Sequence, residues 1–247
     1  MDTIRLTNTQ WQVIKSMLPD VNMKRKYDLK QILEAMFYVL RTGCQWRLLP
    51  TVYPKWQLVY YYFSKWRDLE LLDDVNNLLR EQARSKLGRN KQCSAAIIDS
   101  QSVKTTRIGG LRGFDGNKKI NGRKRHILTD TQGNLITCLV HPANIHDSKG
   151  AELLLRRLKE NIFGIRLIFA DSAYRGQLIQ TTKSKLGYQI QIVKRSINKI
   201  SPRRWVVERT FAWFENFRRL SKDFEYLLES SEAMIKLASI KLLLNKF

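Results

Sequence analysis

Apolar residues in the first third of the chain recur every three or four positions, which is the spacing of helices that bury one face. Residues that cap or break helices separate the segments with this spacing. We expect helices at about residues 7–18, 28–42, 54–67 and 71–86. An all-helical N-terminal region over residues 1–90 fits either a helix-turn-helix-like DNA-binding and dimerisation unit or a plain bundle whose aromatic side chains form the core.

The pattern changes after residue 90, where short apolar runs alternate with helical spacing. Strands are predicted at residues 95–99, 126–130, 135–140, 165–170 and 188–193. Helices are predicted at about residues 148–161, 177–186, 202–220 and 231–244. The second and third strands form a hairpin, and the later strands follow crossover helices. Residues 91–247 are therefore expected to form an α/β domain with a mixed five-stranded sheet flanked by helices.

Three acidic residues stand where side chains from separate segments can meet. Asp99 and Asp171 each end a predicted strand, so they become neighbours if those strands lie side by side. Glu208 falls on the polar face of the helix predicted over residues 202–220. Two ionised carboxylates that lie close together repel each other, so one of them tends to stay protonated. A divalent cation between them keeps both ionised, and Mg²⁺ prefers such oxygen ligands. We interpret the three acids as a metal site; the alternative for each is a turn or helix cap.

The charge of the chain makes a polyanion the expected partner. Its 247 residues include 44 Lys and Arg against 22 Asp and Glu, a net charge of +22, which favours nucleic acid over an anionic membrane surface. The three cysteines have no zinc spacing, so we expect them to be reduced. No signal peptide and no membrane-spanning run is apparent, which predicts a soluble, cytoplasmic protein.

Basic residues surround the three acids along the sequence. The segment 109–125 combines glycines with cations and fits a DNA contact, although a solvated loop is the alternative reading. The candidates for contact with DNA phosphates are Lys104, Lys118, Lys119, Arg123, Lys124, Arg125, Arg175, Arg204, Arg209, Arg218 and Arg219.

Several motifs make the chain resemble bacterial insertion-sequence transposases of the IS5 family, which belong to the DDE class. The matching segments are residues 38–50 (YVLRTGCQWRLLP), 99–104 (DSQSVK), 122–128 (GRKRHIL), 170–176 (ADSAYRG) and 204–213 (RWVVERTFAW). Arg209 matches the arginine usual in the family. Glu215 departs from it, because related transposases often carry a basic or amide residue there.

The resemblance implies an RNase H-like catalytic core after the helical region, with Asp99, Asp171 and Glu208 as catalytic, metal-binding residues. It also implies cleavage at terminal inverted repeats and joining of the freed 3′ ends to target DNA. We expect Mg²⁺ as cofactor, as two ions with Mn²⁺ as a substitute, and a homo-oligomer on DNA. Two alternatives remain: a nuclease of this fold that cuts without joining, and a domesticated DNA-binding protein without activity.

Overall fold

The N-terminal region is helical, as predicted. The structure is a computed structural model that describes residues 4–18, 27–107, 109–161, 164–193 and 204–247. Its first helices are α1 (Asn8–Lys15), α2 (Leu29–Thr42), α3 (Trp56–Asp68) and α4 (Leu71–Lys86). Thr7 and Gln10 form a capping box at the start of α1, and Gly43 ends α2 in the left-handed conformation.

A mixed sheet with flanking helices follows. Its strands are β1 (Ala95–Lys104), β2 (Gly113–Asp115), β3 (Ile120–Asp130), β4 (Leu135–Pro142), β5 (Leu167–Ala170) and β6 (Gln189–Ile192). The helices of this part are α5 (Asp147–Asn161), α6 (Gln177–Thr181), α7 (Trp205–Glu215) and α8 (Leu228–Leu244). The α/β class with a helical N-terminal region is thereby confirmed.

The topology is that of an RNase H-like core. β3 pairs antiparallel with β1 on one side and with β4 on the other, while β1, β5 and β6 run parallel. These are the five predicted strands. A short sixth strand, β2, pairs with the start of β3 beyond the end of β4.

The antiparallel part of the sheet reaches further than the sequence predicts. β1 was expected to end at Asp99 and β3 to begin at His126, but the two strands stay paired out to Lys104 and Gly122. A side chain at Gly122 would collide with the Val103 carbonyl, so glycine permits this close pairing. About half of the basic segment 109–125, for which a solvated loop was the alternative, is therefore strand, and Asp99 lies within β1 rather than at its end.

Two hydrophobic cores lie on opposite faces of the sheet. One core joins the N-terminal helices, α7, α8 and one face of the sheet, with residues such as Phe37, Ile97 and Phe211. The other packs α5 and α6 against the opposite face, with residues such as Ile98 and Leu154. The regions on either side of residue 90 thus share the first of these two cores.

The helix predicted over residues 202–220 is shorter in the structure. Residues 202 and 203 lie outside the described part, α7 ends at Glu215, and a separate 3-10 turn covers Arg218–Leu220. Phe217 adopts an extended backbone between them and buries its ring. Arg41 Nη1 donates to the Asn216 carbonyl at 2.6 Å, which satisfies a carbonyl at the helix end.

Candidate active site

Asp99 occupies the point on β1 where its parallel neighbour ends. Ile97 pairs with Phe169, one residue before the end of β5, so the register leads from Asp99 to Asp171. Side chains alternate along a strand, so Asp99 projects to the same face as Ile97, towards α7. Burial raises the pKa of the Asp99 carboxyl to about 6. A hydrogen bond from the Ser100 amide, at 2.8 Å, acts in the opposite direction and lowers this pKa.

Asp171 stands immediately after β5, as predicted. Its Oδ1 accepts a hydrogen bond from the Ala173 amide at 2.8 Å, which caps the 3-10 turn Ser172–Tyr174. Asp171 therefore does cap a turn, which is the alternative role considered from the sequence. It leaves the second carboxylate oxygen, Oδ2, directed at Arg204 across 3.7 Å.

Glu208 contacts the same guanidinium. Its Oε1 lies 3.4 Å from Arg204 Nη2, the nitrogen that also faces Asp171. The two carboxylates are thus no further apart than these two contacts placed end to end. Glu208 and Asp171 further raise the pKa of Asp99, whereas Arg204 lowers it, so all four groups share one electrostatic site.

The three acids act on one another electrostatically without forming a closed set of metal ligands. Within the part of the chain that the structure describes, no group of three His, Cys, Asp or Glu is arranged to hold a metal ion. Arg204 instead supplies a positive charge between Asp171 and Glu208. The donor set of three carboxylates still has the chemistry that Mg²⁺ and Mn²⁺ favour, and a guanidinium occupies the place where cationic charge is needed.

Contacts along its length fix α7 over the sheet. Thr210 Oγ1 donates to the Gly133 carbonyl at 2.9 Å, and Arg209 Nη2 donates to the Gln132 carbonyl at 2.9 Å. The Arg209 guanidinium also lies 4.4 Å from the ring centroids of Trp205 and Trp213. Arg209 is therefore half-buried and engaged within the protein, and its contact with DNA stays a prediction.

Glu215, where the chain departs from the family pattern, also contacts the sheet. Its Oε1 accepts a hydrogen bond from Gln101 Nε2 at 3.0 Å, and Gln101 follows Asp99 by two positions on the same face of β1. Glu208 and Glu215 lie two helical turns apart on one stripe of α7. The carboxylate at position 215 thus helps to align α7 with β1.

The predicted DNA contacts divide by burial. Five side chains are exposed: Lys104, Lys118, Lys119, Arg175 and Arg218. Four are buried: Arg123, Lys124, Arg125 and Arg219. The buried four have internal partners, so a phosphate contact by their side chains is corrected to a structural role.

Arg123 is the clearest of these corrections, because it is 0% exposed. Its guanidinium donates to Asp223 Oδ1 at 3.1 Å and to Ser231 Oγ at 2.9 Å. It also donates to the carbonyls of Leu111, Glu225 and Tyr226. Arg125 and Arg219 behave similarly, with the Leu220 carbonyl and the Glu225 carboxylate as partners at 2.6 and 2.7 Å.

Lys124 belongs to a polar cluster on the other face of the sheet. Its ammonium lies 3.0 Å from Asp147 Oδ1 and 3.6 Å from Asp115 Oδ2. Ser100, next to Asp99, donates to Asp147 Oδ1 at 3.0 Å. Sequence analysis missed this cluster; the run of charged residues in an otherwise strand-like segment was its only local signal.

Two family models match the chain. One, described as "Transposase DDE domain", matches residues 91–243, which include all three acids. The other, described as "Putative transposase of IS4/5 family", matches residues 6–76. The chain belongs to the DDE transposase domain family.

A relative of this DDE domain protein is the "Putative transposase for insertion sequence element IS402" of Burkholderia cepacia. The two are 31% identical over 127 residues, which cover 47% of this chain and 60% of that relative. The match thus spans less than two thirds of the relative.

Two solved structures also match this DDE domain protein. The catalytic core domain of BIV integrase is 12% identical, with a TM-score of 0.38, and the match covers 57% of this chain and 81% of that one. The Mos1 transposase paired-end complex is 13% identical, with a TM-score of 0.26, covering 85% and 82%.

The structure contains no helix suited to crossing a membrane within its described residues.

Proposed function

We propose that this protein is an insertion-sequence transposase that cuts DNA at the ends of its element and joins the freed 3′ ends to target DNA. The family assignment supports this reaction class. The observation that carries the proposal is the single Arg204 guanidinium faced by Asp171 and Glu208, with Asp99 coupled electrostatically to all three.

Asp99, Asp171 and Glu208 are proposed to hold two divalent ions, Mg²⁺ with Mn²⁺ as a substitute. Bound there, such ions supply Lewis-acid stabilisation to the attacking and leaving oxygens of a phosphodiester. Asp99 binds as the carboxylate, so its pKa near 6 leaves it competent at neutral pH. Arg204 balances the charge of the acids and can pair with a phosphate oxygen instead.

The DNA surface is proposed to use the exposed cations Lys104, Lys118, Lys119, Arg175 and Arg218. We also propose that the protein acts as a homo-oligomer on DNA, because the reaction brings two element ends together. A bacterial cytoplasm, in contact with the nucleoid, is the proposed location.

The test uses a labelled duplex that carries the inverted repeats flanking the gene, together with supercoiled target plasmid and Mg²⁺. Wild-type protein is expected to nick the repeat and to yield joined product. Asp99→Asn is expected to bind the duplex but to lose cleavage, whereas Glu215→Gln, on the same stripe of α7, should retain it.

Each outcome of this assay is informative. Full cleavage by Asp99→Asn overturns the assignment of the acids. Cleavage without joined product, also from a pre-cut end, replaces transposition with simple nuclease activity. The absence of nicking with either Mg²⁺ or Mn²⁺ identifies a DNA-binding protein without this activity.

A further inference from the structure

The segment that follows α2 forms a surface that the acidic site does not use. After Gly43 the chain enters a 3-10 turn over Trp46–Leu48. Trp46 turns towards α3, with its ring 5.2 Å from that of Phe63 and 5.4 Å from that of Tyr60. Arg47 points outward and lies 5.5 Å from the ring centroid of Trp56.

These side chains line an open pocket of about 440 Å³, a volume typical of small-ligand sites. Its walls are Gln45, Trp46, Arg47, Trp56, Tyr60, Arg219 and Phe224. The rings therefore come from the turn after α2, from α3 and from the segment after α7. Tyr60 and Phe224 are 39% and 40% exposed, so both present ring surface to a ligand.

The aromatic rings of the pocket suit a planar ligand, and its polar groups suit an anionic one. None of the described residues that line it is acidic. Arg47 and Gln45 are exposed at its rim.

We propose that this pocket takes an unpaired base of a DNA strand. The aromatic rings stack on the base. This stacking requires no particular base, because every base has a π-face. The Gln45 amide offers a donor and an acceptor to the base edge, and Arg47 pairs with the adjoining phosphate. The proposal rests on the proposed function only in taking DNA as the polyanion.

The location of the pocket relative to the acids supports the same strand as ligand. β1 runs on from Asp99 to Lys104, and the next residue, Thr105, forms a β-bridge with Asp223, the residue before Phe224. Six residues of strand span ~20 Å, which equals the rise of about six base-pair steps of duplex DNA. The exposed Lys104 and Arg218 lie near the pocket end of this path.

The test measures binding of a fluorescent oligo-dT strand of about 12 nucleotides to the full chain in EDTA, by anisotropy. Tyr60→Ala and Phe224→Ala are each expected to weaken binding by about 5- to 150-fold. The matched control is Tyr61→Ala, whose ring is also exposed on α3 but does not line the pocket. It should stay within about twofold of wild type, and all three variants should bind duplex DNA normally.

Two further measurements separate stacking from charge and from self-association. Arg47→Gln should reduce the slope of log affinity against log salt by about 0.7, whereas Phe224→Ala should leave that slope unchanged. A strand that contains iodouracil should photocross-link to Trp56, Tyr60 or Phe224. Melting curves of each variant confirm the fold.

The proposal is overturned if Tyr60→Ala and Phe224→Ala bind the strand as Tyr61→Ala does, or if cross-links form only outside the pocket. It is also overturned if Phe224→Ala dissociates a dimer in sedimentation while strand binding is unchanged, because the occupant is then a second copy. Binding in EDTA does not depend on cleavage, so failure here is distinct from failure of the transposase assay.

Discussion

Replacing Asp99 by Asn should stabilise the metal-free protein at neutral pH. Burial raises the pKa of this carboxyl from an ordinary 3.8 to about 6, and one pKa unit corresponds to about 1.36 kcal/mol. The folded protein thus retains a proton on Asp99 in a range where the unfolded chain has lost it. Stability therefore falls as the pH rises from below about 4 to above about 6, by about 3 kcal/mol in all.

Asn has nearly the same shape and does not titrate. The gain in unfolding free energy of Asp99→Asn should be near zero at about pH 4 and about 2–3 kcal/mol at about pH 7.5. Urea denaturation in EDTA at both pH values measures it. Glu152→Gln, on the surface of α5, is the control and should change stability by less than about 1 kcal/mol.

An Asn variant that is less stable than wild type at about pH 7.5 would refute this reasoning, because the carboxylate would then be stabilising the fold. Added Mg²⁺ supplies a second check. It should raise the stability of the wild type through binding to the folded state, and it should have little effect on Asp99→Asn.

Three further changes test the remaining assignments. Arg123→Met should lower the unfolding free energy by about 3–5 kcal/mol in urea titration, because a buried carboxylate loses its partner, and the salt slope of duplex binding should not change. Arg204→Gln should tighten Mn²⁺ binding in calorimetry by about two- to fivefold without DNA, whereas Arg175→Gln, in the turn after Asp171, should not; weaker binding by Arg204→Gln would contradict the shared site. Gly150→Ala should destabilise by about 1–3 kcal/mol in thermal melts, because its methyl group would lie 2.6 Å from a buried histidine carbon, while Gly116→Ala meets no atom within 4 Å and should be neutral.

The sequence predicts the elements whose pattern is local. The helices expected to begin near residue 7 and to end near residue 42 have local boundary signals, which the structure shows as the capping box at Thr7 and the left-handed Gly43. The neighbouring positions of Asp99 and Asp171 follow from parallel pairing of two apolar runs, which a strand order predicts.

The burial of basic residues could not be predicted in this way. Arg123 and Arg125 read as surface cations because charged residues are rarely buried without partners. Their partners include Asp223 and Leu220, which lie about 100 residues further along the chain, so no local pattern announces them. The ion pair between Arg204 and Asp171 could not be predicted from the sequence for the same reason.

The end of α7 was missed because amphipathic spacing continues past it. Phe217 and Leu220 keep an apolar rhythm, and both are buried, but they reach the core from an extended residue and a 3-10 turn. Periodicity identifies which side chains face inward and does not reveal where the backbone stops being helical.

The buried Arg123 sets the spacing between the strand of Asp99 and the aromatic pocket. It lies on β3 opposite Val103 of β1, and it binds Asp223, Glu225 and Tyr226, the residues on both sides of Phe224. The strand that carries Asp99 and the wall of the aromatic pocket are thereby joined by strand pairing and hydrogen bonds. If a base binds at Phe224, the phosphodiester bond that is cut lies a constant number of nucleotides from that base, whatever the sequence between them.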